Sequence, residues 1–543
     1  MKKFLAILLT LAMIISCSMI AMAEDAEPVT IKVLGYERNK DANGNGFMGN
    51  RDTQLAWQAA EQLFVDAGLN MEYEIILDSE QFKTTVQTRL ASAYDLPDIV
   101  YGGSTDVPTL LDMADMGTIL KINDILEITK GDAYNYFYGG EGDRARGLIS
   151  DAEGNFYWLP RIQINQLDGK ESGTSMCLCI RKDWLEKVEM AVPTTLDEFT
   201  AALKAFQAND VNGNGVVDEV IVSDTSYFSV GMNLWFGIPT TMSNSIGINL
   251  TEKTVESAWY NENIDEYFTF IQMLTKEGLL SKDYIGTDTS SSAAYAGNQV
   301  AACEYYPIGS YQEATVIAGG CPEAYYIGIV PIEAVEGTKP FYSEETPYLV
   351  YLRHCVTSAA NDKLDAIAKY FDVVYSQDML DIMQYGAKDT MYTVEADGTV
   401  KDLSGWGVVS TNDRFAKGMA SIDEIARFFV PTVRHNERAD ELGNTEINWP
   451  EKVEYELLVN DWEPKTPNDN TGYFALSNEE ETEILADYNT DLATASAELA
   501  AALSLGNKAI EDIPADVENL KAMGLDEVLA VYTAQYKRAQ GIE

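Results

Sequence analysis

The chain has 543 residues, 46% apolar and 10% aromatic, and its 86 acidic and 38 basic residues give a formal net charge of −48. That length is too great for one hydrophobic core and predicts two or three lobes, while the apolar and aromatic content excludes a disordered chain. So acidic a surface repels phosphate backbones and anionic lipid headgroups, which argues against nucleic-acid binding.

Lys2 and Lys3 precede an apolar run, Phe4–Ile15, broken only by Thr10, which predicts a targeting segment outside the fold. Two cleavage readings stand side by side. Ala21-Met22-Ala23 before Glu24 fits a small-x-small site, giving a signal peptide over 1–23 and free secretion. Ile14-Ile15-Ser16-Cys17 fits an imperfect lipobox, giving a lipoprotein signal over 1–16 and a lipidated Cys17. Either reading places the mature protein outside the cytoplasm. No later stretch approaches the roughly 20 apolar residues of a membrane span.

Strand and helix alternate from Val29 onward. Val29–Tyr36 reads as a strand, Thr53–Phe64 as a helix and Met71–Leu77 as a strand. The next helix carries Phe82, Val86 and Leu90 at four-residue spacing, and Asp98–Gly102 is a third strand. Such alternation predicts a parallel sheet covered on both faces, with ligands beyond the carboxyl ends of its strands. The pattern resumes with "FYWLP", "SMCLCIRKDWL" and a helix over Thr195–Gln207, where Thr195 and Glu198 form a capping box. A helix over Asp265–Glu277, strands "QVAACEYY" and "YYIGIVPI", and a helix over Asp362–Ser376 follow. Asn444–Thr471 reads as irregular. The end is helical, opened by a Ser477–Glu480 capping box, with Ile484, Tyr488, Leu492 and Leu499 on one face. Trp57 and Trp184 fall on predicted helices and read as core. Beyond Cys17 the cysteines number five, so at least one thiol stays unpaired within the chain. They read as buried thiols acting as small hydrophobes, with a Cys303–Cys321 bridge as the alternative.

Eight stretches in this order resemble one family. They are "TTVQTRLASAYDLPDIV", "EGNFYWLP", "CIRKDWLEKVEMAVPTTLDEF" leading into "NDVNGNGVVDEV", "LTKEGLLSKDY", "AGNQVAAC", "YFDVVYSQDMLDIMQYG" and "LKAMGLDEVLAVYTAQYKRAQ". Together they resemble the extracellular solute-binding proteins of family 1, the large oligosaccharide-binding type that serves ABC importers in Gram-positive bacteria. The resemblance implies an α/β, two-lobed periplasmic-binding-protein-like fold of type II with a cleft between lobes. It implies a first lobe over 29–152 and 352–412 and a second over 156–350 and 415–543. The implied protein is a monomer that captures an oligosaccharide, closes like a Venus flytrap and delivers the solute to the transmembrane subunits of an ABC permease. It is not an enzyme.

Two loops share the letters NGNG. Counted from Asp210 as an EF-hand-like loop, the oxygen positions fall on Asp210, Asn212, Asn214, the carbonyl of Val216, and Asp218, with Gly215 at the turn. Position twelve is Ile221, so the bidentate Glu of an EF-hand is missing, and Glu219 is its replacement. The resemblance supports a structural calcium ion here, since similar solute-binding proteins share this spacing. An empty turn is the alternative. The second loop offers Asp41, Asn43, Asn45, the carbonyl of Phe47, and Asp52, but Gly49 and Asn50 replace the acidic pair. It has three readings: a second metal site, a solute-contacting rim, or a plain turn.

Sugars are bound by aromatic rings flanked by polar groups, and the chain holds 8 Trp and 30 Tyr. Position selects Tyr36, Arg38, Tyr101, Trp158, Arg161, Trp235, Phe236, Tyr305, Tyr306, Tyr311, Arg353 and Trp406. Core packing is the alternative for each aromatic. A secreted carbohydrate-active enzyme is the competing function. Its carboxylate pair is unreadable among 86 acids, and the two histidines, His354 and His435, support neither a Ser-His-Asp site nor a zinc site. A dockerin-like module needs its two calcium loops one short repeat apart, and here they are far separated.

Overall fold

The computed structural model describes residues 27–37, 46–101, 107–167, 170–173, 175–222, 231–239, 246–280, 292–305, 311–405, 411–437, 450–467 and 472–542. The targeting segment and Cys17 lie outside them. Strand β1 (Val29–Tyr36) buries Ile31, Val33 and Leu34. Gly35 is required there, because a Cβ would sit 2.4 Å from the ring of Phe429. Helix α1 (Leu55–Asp66) buries Trp57 and Phe64, and strand β2 (Leu69–Ile76) follows. Helix α2 (Ser79–Ser92) buries Phe82, Val86 and Leu90, the expected stripe, and the Asp78 carboxylate caps it by accepting from the Gln81 amide at 2.7 Å. Strand β3 (Ile99–Tyr101) completes the opening alternation.

Further on come β4 (Leu159–Leu167), β5 (Ser175–Arg181), α3 (Leu196–Gln207), β6 (Val220–Val222), α4 (Ile264–Lys276), β7 (Val300–Tyr305), β8 (Tyr326–Gly328), β9 (Tyr342–Glu344) and β10 (Tyr348–Val356). The chain ends with α5 (Leu364–Val374), β11 (Val433–Glu437), α6 (Pro450–Asn460), β12 (Lys465–Pro467), α7 (Glu479–Ser504) and α8 (Leu525–Gln540).

These elements form two compact units. The first holds the described residues of Met1–Asn135 with His354–Tyr392 and Phe415–Val430. The second holds Tyr136–Arg353, Thr393–Arg414 and Pro431–Glu543. In the first, β2, β1 and β3 are parallel, and the last residues of β10 add antiparallel to β3. In the second, β11 is parallel to β4, whose other neighbour is β10. A separate sheet runs β12-β9-β5-β7-β6, with β8 beside β5. Its core gathers Trp184, Trp235, Trp259, Phe199 and Phe206. Segments 136–152 and 393–412, placed in the first lobe by the resemblance, fall in the second unit, and 415–430 falls in the first. Packing accounts for the last: Phe415 stacks on Phe47 at 4.1 Å and Phe429 meets Tyr73 edge-on at 5.7 Å.

Two local expectations change, the α7 cap and the segment read as irregular, and the reading of the cysteines as buried thiols holds. The capping box that opens α7 is Asn478 with Glu481, one residue beyond the expected pair: the Glu481 amide donates to Asn478 Oδ1 at 2.9 Å and the Asn478 amide to Glu481 Oε2 at 3.0 Å. Arg538 forks onto the same carboxylate at 2.6 Å and holds it over the helix start. The segment read as irregular contains α6 and β12. All five cysteines among the described residues are free and buried, so Cys303 and Cys321 are not bridged.

Candidate functional site

In the first unit β1 and β3 run parallel, which brings their terminal residues Tyr36 and Tyr101 to one edge. A ring cluster forms there. Tyr101 stacks on Phe82 at 5.8 Å and meets Phe428 at 5.3 Å and His354 at 5.6 Å. Tyr36 lies 5.4 Å from Phe428 and 5.9 Å from Phe82. Tyr101 is buried in this cluster, whereas Tyr36 keeps a half-exposed ring. A nitrogen of the His354 imidazole sits 3.1 Å from the Phe428 carbonyl, which gives this histidine a packing role.

In the second unit β4 alternates. Ile162 and Ile164 point to one face, and Arg161, Gln163 and Asn165 to the other. The neighbouring β10 sets Tyr351 and Arg353 beside them. The Arg161 guanidinium, fully buried, lies 5.6 Å from the Tyr351 ring centre. The Tyr351 hydroxyl donates to Gln163 Oε1 at 3.1 Å, and the Gln163 amide donates to Asn165 Oδ1 at 3.0 Å. Arg353 covers the buried indole of Trp158 at 5.9 Å. Three residues selected from the sequence, Trp158, Arg161 and Arg353, thus share one neighbourhood. Tyr351 and Gln163 join them unselected, although the polar-apolar alternation of "RIQIN" was a readable signal for Gln163.

Trp235 and Phe236 go elsewhere. Trp235 packs edge-on against Phe199 at 5.2 Å and Phe236 against Tyr267 at 5.6 Å, both within the apolar core. Tyr305 ends β7 opposite Cys177, and Tyr311 opens the helix Tyr311–Ala318. The side chains of Tyr305 and Tyr311, and all of Arg38, Tyr306 and Trp406, lie outside the described residues.

The Asp210 loop is folded around its own carboxylates. Asp210 accepts from the amides of Gly213 at 2.8 Å, Asn214 at 3.0 Å and Gly215 at 2.8 Å. Glu219 Oε1 accepts from Val211 at 2.8 Å and Asn212 at 3.2 Å. The side-chain amides of Asn212 and Asn214 both reach Asp218 Oδ1, at 3.1 and 3.0 Å, and Gln299 reaches its Oδ2 at 2.8 Å. Gly215 adopts φ +88° at the turn position, a conformation that favours glycine. Desolvation opposes ionisation of Asp218, but the amides of Asn214, Gln299 and Asn212 outweigh it and hold this carboxyl below its ordinary range. Among the described residues, no three His, Cys, Asp or Glu side chains are gathered as a metal-holding group. The carboxylates face the loop's own N–H groups, and two of the expected donors are asparagines. The donor chemistry still suits a hard cation: Asp210, Asp218, Glu219 and two amide oxygens lie within ten residues.

In the second loop Phe47 opens a helical turn, Phe47–Thr53, and its buried ring is a core anchor. Asp52 is exposed beside Arg51 at 3.8 Å. Asp41, Asn43 and Asn45 lie outside the described residues.

No family model matches the chain. Sequence relatives do. It is 30% identical over 218 residues, 38% of its length, to a fructooligosaccharide ABC transporter substrate-binding protein, FusA, of Streptococcus pneumoniae. It is 33% identical over 121 residues, 21% of its length, to the lipoprotein LipO of Bacillus subtilis. Over the first of these stretches the chain is similar to an ABC-transporter substrate-binding protein. The matched stretches span 39% of the first relative and 23% of the second. Solved structures match over far more of the chain. An extracellular solute-binding protein of Bifidobacterium longum subsp. infantis superposes with TM-score 0.66 at 17% identity, over 96% of this chain and 100% of its own. An EF-hand mutant of FusA bound to fructo-nystose gives 0.63 at 18% identity, over 94% and 99%. The α/β two-domain fold is therefore that of the solute-binding proteins.

Proposed function

We propose that this protein is the extracellular solute-binding component of an ABC importer. It captures an oligosaccharide without chemical change and delivers it to the transmembrane subunits of a permease. The sequence relation to FusA carries this reading, and the whole-length fold likeness supports it. The relation to a lipoprotein and the apolar leader favour export. Among the described residues no helix is long and apolar enough to cross a membrane. Tyr36 at the edge of the first unit, and Tyr351 and Arg353 of the second, supported from within by Arg161 and Trp158, are the residues we assign to solute contact. An aromatic edge and polar strand faces are the chemistry that sugar C–H surfaces and hydroxyls require.

We also propose that Asp210, Asn212, Asn214, the Val216 carbonyl, Asp218 and Glu219 hold a calcium ion. The ion's charge would replace the amide donors that now face Asp218 and would lock the turn between α3 and β6. Its role is structural. The Asp41 loop is assigned to the solute-contacting rim.

Calorimetric titration against a glycan panel, with product analysis, tests the function. Stoichiometric binding with the ligand recovered intact is the expected result. Turnover of any glycan would make the protein an enzyme, and silence across the panel would remove the carbohydrate assignment.

A further inference from the structure

Arginines in this acidic chain are generally answered by carboxylates: Arg89 by Glu74, Arg144 by Glu171, Arg181 by Asp183 and Arg538 by Glu481. Arg353 is not. Among the described residues it meets no carboxylate and no hydrogen-bond acceptor, and its one contact of this kind is the indole of Trp158. It is half-buried, on a strand, with its guanidinium 5.9 Å from the centre of an indole that is only 2% exposed. Two residues away on the same face stands Tyr351, half-exposed, with the buried guanidinium of Arg161 against its ring and Gln163 accepting from its hydroxyl. Arg353 is therefore a positive charge that no described carboxylate answers, set beside hydrogen-bonding neighbours within a chain of net charge −48.

We infer that Arg353, backed by Trp158 and flanked by Tyr351, is a carboxylate-reading subsite, and that the solute is an acidic oligosaccharide bearing uronic acid residues. The inference rests on the solute-binding function proposed above. A guanidinium donates to hydroxyls as well as to carboxylates, but the two are not equivalent for a half-buried cation. A neutral hydroxyl leaves its charge uncompensated, whereas a carboxylate pairs with it through two parallel, charge-assisted bonds. The cation–π contact with Trp158 restrains the guanidinium before the carboxylate arrives, so less rotamer freedom is lost on pairing. Tyr351 and Gln163 then serve ring hydroxyls of the same sugar.

The test is calorimetric titration of the full-length exported protein with trigalacturonate, its fully methyl-esterified form, and a neutral trisaccharide. The acid is expected to bind about tenfold or more tightly than its ester, which keeps every hydroxyl and loses only the charge. Arg353→Gln is expected to bring the acid down to the ester's affinity, and Arg353→Lys to restore part of the difference, since it returns the charge without the fork. The wild-type comparison of acid with ester needs no variant and stands even if Arg353→Gln folds poorly, which its melting temperature reports. Equal binding of acid and ester, an acid preference that survives Arg353→Gln, or binding of the neutral sugar alone would overturn the uronate assignment and leave the solute-binding function intact. A wild-type protein that binds none of these and no other glycan would instead remove the function itself.

Discussion

Replacing Asp218 by alanine separates a calcium clamp from a self-capped turn. In the structure Asp218 accepts three side-chain amide hydrogen bonds, from Asn212, Asn214 and Gln299. The group is only partly buried, so solvent screens these bonds and their joint loss costs about 1 kcal/mol. If the loop also binds calcium, free ion at 100-fold above Kd adds about 2.7 kcal/mol to the stability of the native state. Urea unfolding of wild type and Asp218→Ala, each with excess calcium and with chelator, gives four values. Wild type is expected to lose about 2.7 kcal/mol on chelation. The variant is expected to sit about 1 kcal/mol below chelated wild type and to ignore calcium altogether. The coupling between mutation and ion is the diagnostic quantity, because hydrogen-bond loss alone contributes equally to both columns. Wild-type stability that is unchanged by chelation would refute the clamp and leave the loop as a turn held by its own amides.

Three further outcomes follow from the packing. Lys452, 1% exposed, donates to Glu313 at 2.7 and 2.9 Å, so Lys452→Met should destabilise by about 3–5 kcal/mol in urea unfolding. Lys452→Met with Glu313→Gln should recover most of that loss, since the glutamine still accepts from the Tyr326 amide. Desolvation opposes ionisation of Glu481, but the bonds from Arg538 and Asn478 prevail and hold its carboxyl below the ordinary value. Its contribution is therefore complete above the unfolded carboxylate pKa of about 4.3 and is lost as pH falls through the lower folded value. Glu481→Gln should cost about 1 kcal/mol at pH 7, with the difference from wild type vanishing in acid melts. Tyr36→Leu keeps an apolar group against Phe82 and Phe428, so its melting temperature should stay near wild type while glycan affinity falls about tenfold, or 1.4 kcal/mol.

Elements with an apolar stripe were legible in the sequence; those whose buried face is polar were not. Phe82, Val86 and Leu90 announced α2 at helical spacing, and the structure buries all three. Helix α6 carries no such stripe, because its inward face is Lys452, Tyr455, Glu456 and Val459. Two of those four are charged, and its consecutive leucines, Leu457 and Leu458, are 53% and 56% exposed. Hydrophobic periodicity inverts when an ion pair takes the core position, and the partner, Glu313, is remote in sequence. The same limit applies to the site. Arg161, Trp158 and Arg353 were selectable by residue type, but Tyr351 joins Gln163 across 188 residues only because β4 and β10 are neighbours. Trp235 and Phe236 illustrate the converse. An aromatic pair after a turn reads the same whether it faces a ligand or a core, and only the rings of Phe199 and Tyr267 decide for the core.

The overall charge and the Arg353 face point in opposite directions, and distance decides between them. At physiological ionic strength the screening length is about 8 Å, so exposed carboxylates farther than this from Arg353 contribute little to the field a bound solute feels. They slow the approach of an anion and make its association rate rise with salt. Once the solute is seated, the guanidinium of Arg353 acts through a partly desolvated strand face, where screening is weaker. An acidic surface around a basic subsite thus separates rate from affinity. Added salt should speed association with an acidic oligosaccharide while hastening its release, whereas a neutral sugar should show neither effect. Stopped-flow titration across ionic strength reads both, and identical salt dependence for the two sugars would place Arg353 among hydroxyl-binding residues.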